Sequence, residues 1–133
     1  MLHEEVSGAV IKAFYNVYNS LGPGFLEKVY ENSMALLLQQ RGLRVQQQAP
    51  ISVQFLGVVV GEYYADLLVE DCIIVELKSV ERLHPEHIAQ VMNYLKATKI
   101  EVGLLMNFGP SASYKRVLFT NDRKYPPDKT ANP

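Results

Sequence analysis

One cysteine and no tryptophan stand in a chain of 133 residues. A lone thiol cannot close a disulfide within the chain, so the fold must rest on its core, and a reducing cytoplasm is the expected compartment. Cys72 lies in an apolar run, where a small buried residue is expected. Long hydrophobic runs are also missing: none approaches the ~18 residues of a membrane span. The opening Met1-Leu2-His3-Glu4-Glu5 lacks the basic and apolar regions of a signal peptide. A soluble protein with no membrane partner is the expectation.

Net charge is scarce as well, at −1, but it is unevenly spread. Residues 1–95 hold 6 Lys/Arg against 11 Asp/Glu, giving −5, while residues 96–133 hold 7 against 3, giving +4. The basic C-terminal third suits either approach to a phosphate backbone or a mixed solvated surface.

What is present is apolar residue, 48% of the chain, enough for one domain of ordinary size and too short for two. Val6, Val10, Ala13, Phe14 and Val17, continued by Leu21, predict a helix over 2–20. Gly22-Pro23-Gly24 breaks it. A second helix is expected over 25–40, with Val29, Leu36 and Leu37 as its apolar side and Gly42 as its stop. The pattern then turns to β. Val45 to Phe55 reads as a strand interrupted near Ala49-Pro50, followed by Val58–Val60 and then a hairpin of Tyr63–Val69 and Cys72–Val80. A third helix starts at Pro85 and runs to about Thr98 on a stripe of Ile88, Val91, Met92 and Leu95. Strands at 102–108 and 114–120 follow. The order α-α-β-β-β-α-β-β predicts an α/β fold, a mixed central sheet flanked by helices, over residues 1–120. Residues 121–133 are expected to be a flexible polar tail.

The hairpin carries the chemistry. Glu76 and Lys78 interrupt an otherwise apolar strand and, two residues apart, share a face, with Val75 and Leu77 on the other. Such charges are costly in a strand unless paired or bound to something. Asp66 sits on the preceding strand, where the hairpin brings it toward Glu76. Two carboxylates about 4 Å apart repel by roughly 4 kcal/mol at an effective dielectric near 20. A bound Mg²⁺ or Mn²⁺ turns that repulsion into attraction, activates water and polarises a phosphoryl centre, with Lys78 placed to assist. The competing reading is a cross-strand ion pair between Glu76 and Lys78. Glu27, Tyr30, Glu31 and Met34 fall on one face of the second helix, so Glu27 either joins the site or meets the helix dipole, and Tyr30 either positions substrate or packs on the sheet. Gln90 and Tyr94, one turn apart and beside His87, either line a groove next to Glu76 and Lys78 or are solvated. Glu62 shares a strand face with Asp66 and is a further acidic candidate; His84 and His87 read better as a helix start than as metal ligands. Lys115 and Arg116 are candidates to hold phosphates.

Taken in order, Gly24-x-x-Glu27-x-x-Tyr30, Ala65-Asp66, Glu76-Leu77-Lys78, Gln90-x-x-x-Tyr94 and Asn107-Phe108-Gly109 resemble the GxxExxY family of the PD-(D/E)XK nuclease superfamily, over roughly residues 4–120. The resemblance implies a restriction-endonuclease-like core in which Asp66 and Glu76 bind metal, Lys78 serves catalysis and Glu27 is the acidic residue of the early helix. It also implies that Gln90 and Tyr94 are the extra helical motif that, in an exonuclease branch, positions substrate or the active site. Ala65 departs from the proline of the superfamily's name, a residue that binds no metal. The expected function is therefore a Mg²⁺- or Mn²⁺-dependent nuclease acting on nucleic acid, DNA ahead of RNA. The alternative is a non-catalytic nucleic-acid-binding or assembly module that keeps the fold. With no separate domain to read sequence, strong specificity would need a homodimer or a protein partner.

Overall fold

The computed structural model describes residues 2–125. Glu4 and Glu5 meet the positive end of the first helix, α1 (Glu4–Leu21), and its stripe of Val10, Ala13, Phe14 and Val17 is buried. Leu21, expected to extend the stripe, is exposed at the last turn. The chain then turns through Gly22 (φ 68°) and Gly24 (φ 109°), left-handed conformations that glycine adopts without strain. In α2 (Glu27–Gln40) the buried side is Tyr30, Met34 and Leu38 with Glu31 and Ala35; of the expected side, Val29 and Leu36 are exposed and Leu37 packs against the core while only partly buried. Tyr30, Met34 and Leu38 recur every four residues and form the longer unbroken apolar line, so they win the sheet.

Five strands form one sheet in the order β1 (Val45–Phe55), β2 (Val58–Val69), β3 (Ile73–Lys78), β4 (Val102–Phe108) and β5 (Ala112–Leu118). Neighbours are antiparallel except β3 and β4, whose parallel pairing needs the crossover supplied by α3 (Pro85–Ala97). Helices α1 and α2 cover one face over Leu67, Val75, Leu77, Leu104 and Met106. Helix α3 covers the other over Ile74, Leu105 and Val117. It sits so close to β4 that a Cβ on Gly103 would lie 2.4 Å from the Val91 side chain.

The expected break near Ala49-Pro50 is an irregularity within one strand: Gln48 takes a left-handed φ of 51° and leaves a gap between the pairs Gln47–Leu67 and Ala49–Ala65. Likewise 58–60 and 63–69 are one strand, with a register shift opposite Val53 and Gln54. The last rung between β2 and β3 is Leu67–Val75. Beyond it β2 pairs with β1 alone, as a two-stranded ribbon whose Phe55, Leu56, Val58 and Val60 are exposed.

Asn121–Arg123 form a short 3₁₀ turn, and buried Lys124 donates from Nζ to the carbonyls of Thr98 (2.8 Å) and Ile100 (2.7 Å). The segment expected to be a loose tail therefore begins docked; residues 126–133 lie outside the described residues. Among the described residues no helix is long and apolar enough to cross a membrane.

Candidate active site

The site forms where β2 and β3 part. Continuing their register past Leu67–Val75 would set Asp66 opposite Glu76, but the backbones separate there and leave two amides without ladder partners. The two carboxylates take those places. The Asp66 N–H donates to Glu76 Oε1 at 2.9 Å, and the Leu77 N–H donates to Asp66 Oδ2 at 2.8 Å. Each buried donor is thus satisfied by the side chain opposite. Glu76 is only 4% exposed. Val75 and Leu77 point into the α1–α2 layer, so Glu76 and Lys78 face the open fork. Lys78 is half-buried and makes no hydrogen bond or ion pair with the described residues, which removes the Glu76–Lys78 ion pair as a structural explanation.

The start of α2 closes one side of the fork. Glu27 Oε2 accepts the Ser79 N–H at 3.2 Å, and Ser79 Oγ donates to the Phe25 carbonyl at 3.2 Å, tying the helix N-terminus to the chain leaving β3. Tyr30 is fully buried, and its hydroxyl donates to the Gly22 carbonyl (2.6 Å) and accepts the Phe25 N–H (3.1 Å). It holds the glycine turn from which Glu27 projects, while its ring stacks on Phe108 with centroids 4.1 Å apart. Buried Asn107 pairs with the backbone of Val80 in both directions, at 3.0 Å each, fixing the exit from Lys78. A Cβ on Gly109 would lie 2.3 Å from the Val80 carbonyl oxygen, so the turn after Phe108 has room only for glycine.

Helix α3 supplies the other side. Gln90 Nε2 donates to the Tyr94 hydroxyl at 3.1 Å, and both line a cavity of about 250 Å³ with Tyr63, Glu86, Ala89 and Asn93. A roomier cavity of about 420 Å³, walled by Ala49, Ile51, Leu68, Ile74 and Ile100, lies farther down the same face and contains none of Glu27, Asp66 or Glu76. His84 and His87 start α3, the His84 N–H donating to His87 Nδ1 at 3.0 Å. Glu62 is exposed and accepts the Tyr64 hydroxyl at 2.7 Å on the ribbon.

Lys115 and Arg116 are separated by the sheet. Lys115 pairs with Leu105, which pairs with Glu76, and shares the α3 face with Val117; two strands away, it is about 10 Å from Glu76. Arg116 lies on the opposite face and donates to Ser7 Oγ (2.8 Å) and to the Leu2 carbonyl, so it anchors the start of α1, on the side of the sheet away from α3. Adjacent strand residues must point to opposite faces.

The fork resists negative charge. Burial, then the neighbouring Asp66 carboxylate, pushes Glu76 up to about 8, with Glu27 adding to the rise and Lys78 opposing it. Asp66 is also raised, by burial first and then by Glu31 and Glu27, against the opposing hydrogen bonds from Leu77 and Gln48. Burial and the nearby Glu76 push Tyr94 up to about 12, so its hydroxyl keeps its proton at neutral pH.

Residues 4–117 match the model of the PD-(D/E)XK nuclease superfamily. The chain belongs to this superfamily. Among solved structures it is similar to the crystal structure of SSO0001, at 14% identity and a TM-score of 0.57, over 89% of this chain and 59% of that one. That likeness concerns the fold. No curated protein gives a match.

PD-(D/E)XK nucleases act on nucleic acid and typically use divalent metals such as Mg²⁺, and the residues of this member fit such an ion. Mg²⁺ takes one or two carboxylates and keeps several waters. Asp66 and Glu76 each spend one oxygen on a backbone amide, leaving Glu76 Oε2 and, apart from a 3.3 Å contact from Gln48, Asp66 Oδ1. Among the described residues no group of three or more His, Cys, Asp or Glu side chains forms a ready cage, so the pair defines the donor set, with Glu27 at its rim. Two contributors escaped sequence reasoning. Glu31, 3% exposed, accepts Gln48 Nε2 (2.7 Å), Gln47 Nε2 (2.8 Å) and Lys28 Nζ (3.1 Å). Gln48 reaches from Glu31 to Asp66. Glu31 had a signal in its place beside Glu27 on one helix face; Gln48 had none.

Proposed function

We propose that this superfamily member, of the GxxExxY branch, is a divalent-metal-dependent nuclease that hydrolyses phosphodiester bonds, in DNA ahead of RNA. The observation that carries the proposal is the pairing of Asp66 and Glu76 across the fork, in surroundings that raise the pKa of both and so favour a cation between them. Asp66 and Glu76 would hold the ion, with Glu27 contributing directly or through water. When bound, the metal supplies a polarised phosphoryl oxygen and water of lowered pKa. Lys78, which makes no hydrogen bond or ion pair among the described residues, donates to the attacking water or to charge developing on the phosphate. Gln90 and Tyr94 wall the α3 side and orient the substrate strand; Lys115 holds a neighbouring phosphate. The ribbon exposes Val53, Phe55, Leu56, Val58, Val59 and Val60, and no lysine or arginine occurs between Val45 and Leu77, so it fits a second copy of the chain better than a phosphate backbone.

The test is cleavage of single- and double-stranded DNA and RNA with Mg²⁺, Mn²⁺ or chelator, beside folded Glu76→Ala and Lys78→Ala proteins. Metal-dependent cutting should be lost in both. For Lys78→Ala the rate should fall about 10²–10³-fold, the scale of one lost transition-state contact, while Mn²⁺ still raises its Tm. No cutting of any substrate, with a wild-type Tm unmoved by Mn²⁺, would refute the proposal in favour of a binding module.

A further inference from the structure

We infer that Gln48 is a positioning residue for the metal ligand Asp66, held in place by the buried carboxylate of Glu31; the inference rests on the metal-site reading above. Three independent observations meet at this residue. Its backbone adopts φ 51°, in the left-handed region, although it is neither glycine nor asparagine, and strain of this kind persists only where its surroundings fix it. It occupies the one gap in the run of β1–β2 pairs from Val45 to Val53, opposite Asp66. Its side-chain amide then spans two carboxylates, donating to Glu31 Oε1 at 2.7 Å and to Asp66 Oδ1 at 3.3 Å.

A regular strand residue at this position would add a rung to the ladder and send its side chain to one face of the sheet. The left-handed twist instead aims the amide along the fork. Glu31 accepts the shorter bond and is itself fixed by Gln47 and Lys28, so the amide has a rigid anchor on α2 and a second hydrogen left for Asp66. Gln48 touches the oxygen of Asp66 that the Leu77 amide does not use. It therefore sets the rotation of the carboxylate that would meet the ion. Its contact with Asp66 is made by the amide nitrogen, a donor that cannot ligate a cation.

Gln48→Gly and Gln48→Met separate strain from positioning. Both remove the donor, but glycine also relaxes the left-handed backbone while methionine keeps it and the side-chain length. Metal-free Gln48→Gly should melt at or above the wild-type Tm, and Gln48→Met at or below it. Calorimetric titration with Mn²⁺ should show both losing affinity about tenfold or more, the usual effect of removing a hydrogen-bond partner behind a metal ligand. The Mn²⁺ concentration for half-maximal cutting should rise in step, with KM for nucleic acid unchanged. Unchanged Mn²⁺ affinity in either folded variant overturns the inference. Wild-type protein that binds Mn²⁺ but cuts nothing overturns the nuclease reading alone; no Mn²⁺ binding by the wild type overturns both.

Discussion

Replacing Glu76 by glutamine should stabilise the metal-free protein, and only above acidic pH. The folded chain holds the Glu76 proton up to about 8, against an ordinary value of 4.5. Below 4.5 both folded and unfolded chains carry the proton, and the group adds no pH dependence. Between 4.5 and about 8 the unfolded chain releases it while the folded one keeps it, so the folded state binds more protons and stability falls as pH rises. Above about 8 both have released it and the loss is complete. At about 1.4 kcal/mol per pH unit, the loss is at most about 5 kcal/mol. Glutamine keeps the acceptor for the Asp66 N–H and has no proton to lose. Urea denaturation of both proteins from pH 5 to 9 in chelator should therefore show curves that nearly coincide at pH 5 and separate by about 2–5 kcal/mol at pH 9, the variant being the more stable. Excess Mn²⁺ should reverse the order: the wild type gains about 2.7 kcal/mol at a hundredfold excess over Kd, and the variant gains less. A difference that stays flat from pH 5 to 9 would refute the reasoning, because it would mean that the fork does not penalise the charge.

The remaining predictions separate scaffold from site. Tyr30→Phe keeps the stack on Phe108 and loses both hydroxyl bonds to the glycine turn, costing about 1–3 kcal/mol in urea denaturation; unchanged stability with a raised KM would restore a substrate role. Lys115→Ala should weaken nucleic-acid binding at unchanged Tm, while Arg116→Ala should lower stability by about 1–2 kcal/mol through loss of its bonds to Ser7 and Leu2 and leave binding intact; a filter-binding assay showing the reverse would overturn the division of the two residues between sheet faces. Light scattering should find a dimer that Leu56→Glu with Val58→Glu dissociates. A wild type that is monomeric at micromolar concentration would refute the second copy as partner.

The sequence already held much of this. Alternation alone put Glu76 and Lys78 on one face and Val75 and Leu77 on the other, because the strand period is a local property. The short acidic turn placed Asp66 toward Glu76. The largely apolar run Val102–Phe108, closed by Gly109-Pro110, made β4 legible, and all seven of its residues are buried. What stayed hidden depends on distant partners. The buried side of α2 differs from the expected one because two apolar lines run along the helix and only the sheet decides between them. Tyr30 gave no sign that its hydroxyl would serve a turn eight residues back. Arg116 follows Lys115 in sequence, and only the pairing of β5 with β4 shows that one faces the fork and the other α1. Gln48 was out of reach because nothing in a glutamine forecasts a left-handed backbone.

The fork itself explains why the carboxylates are both structure and chemistry. Parting two strands in the middle of a sheet exposes amides that would each cost roughly 1–3 kcal/mol if left unpaired. The side chains that could bind an ion are the ones that repair this damage, one oxygen apiece. Loss of activity in Asp66→Ala would therefore be ambiguous, since alanine also orphans the Leu77 amide and can close or distort the fork. Asp66→Asn is the sharper variant: its carbonyl oxygen still accepts from Leu77, and what is lost is the charge together with the second oxygen, the one that accepts Gln48 Nε2. If the Asp66→Asn protein keeps its Tm without metal, ceases to gain from Mn²⁺ and stops cutting, the full carboxylate is what the ion needs. If it loses Tm as the alanine variant does, the carboxylate of Asp66 is chiefly a strand cap, and the metal must be sought at Glu76 and Glu27.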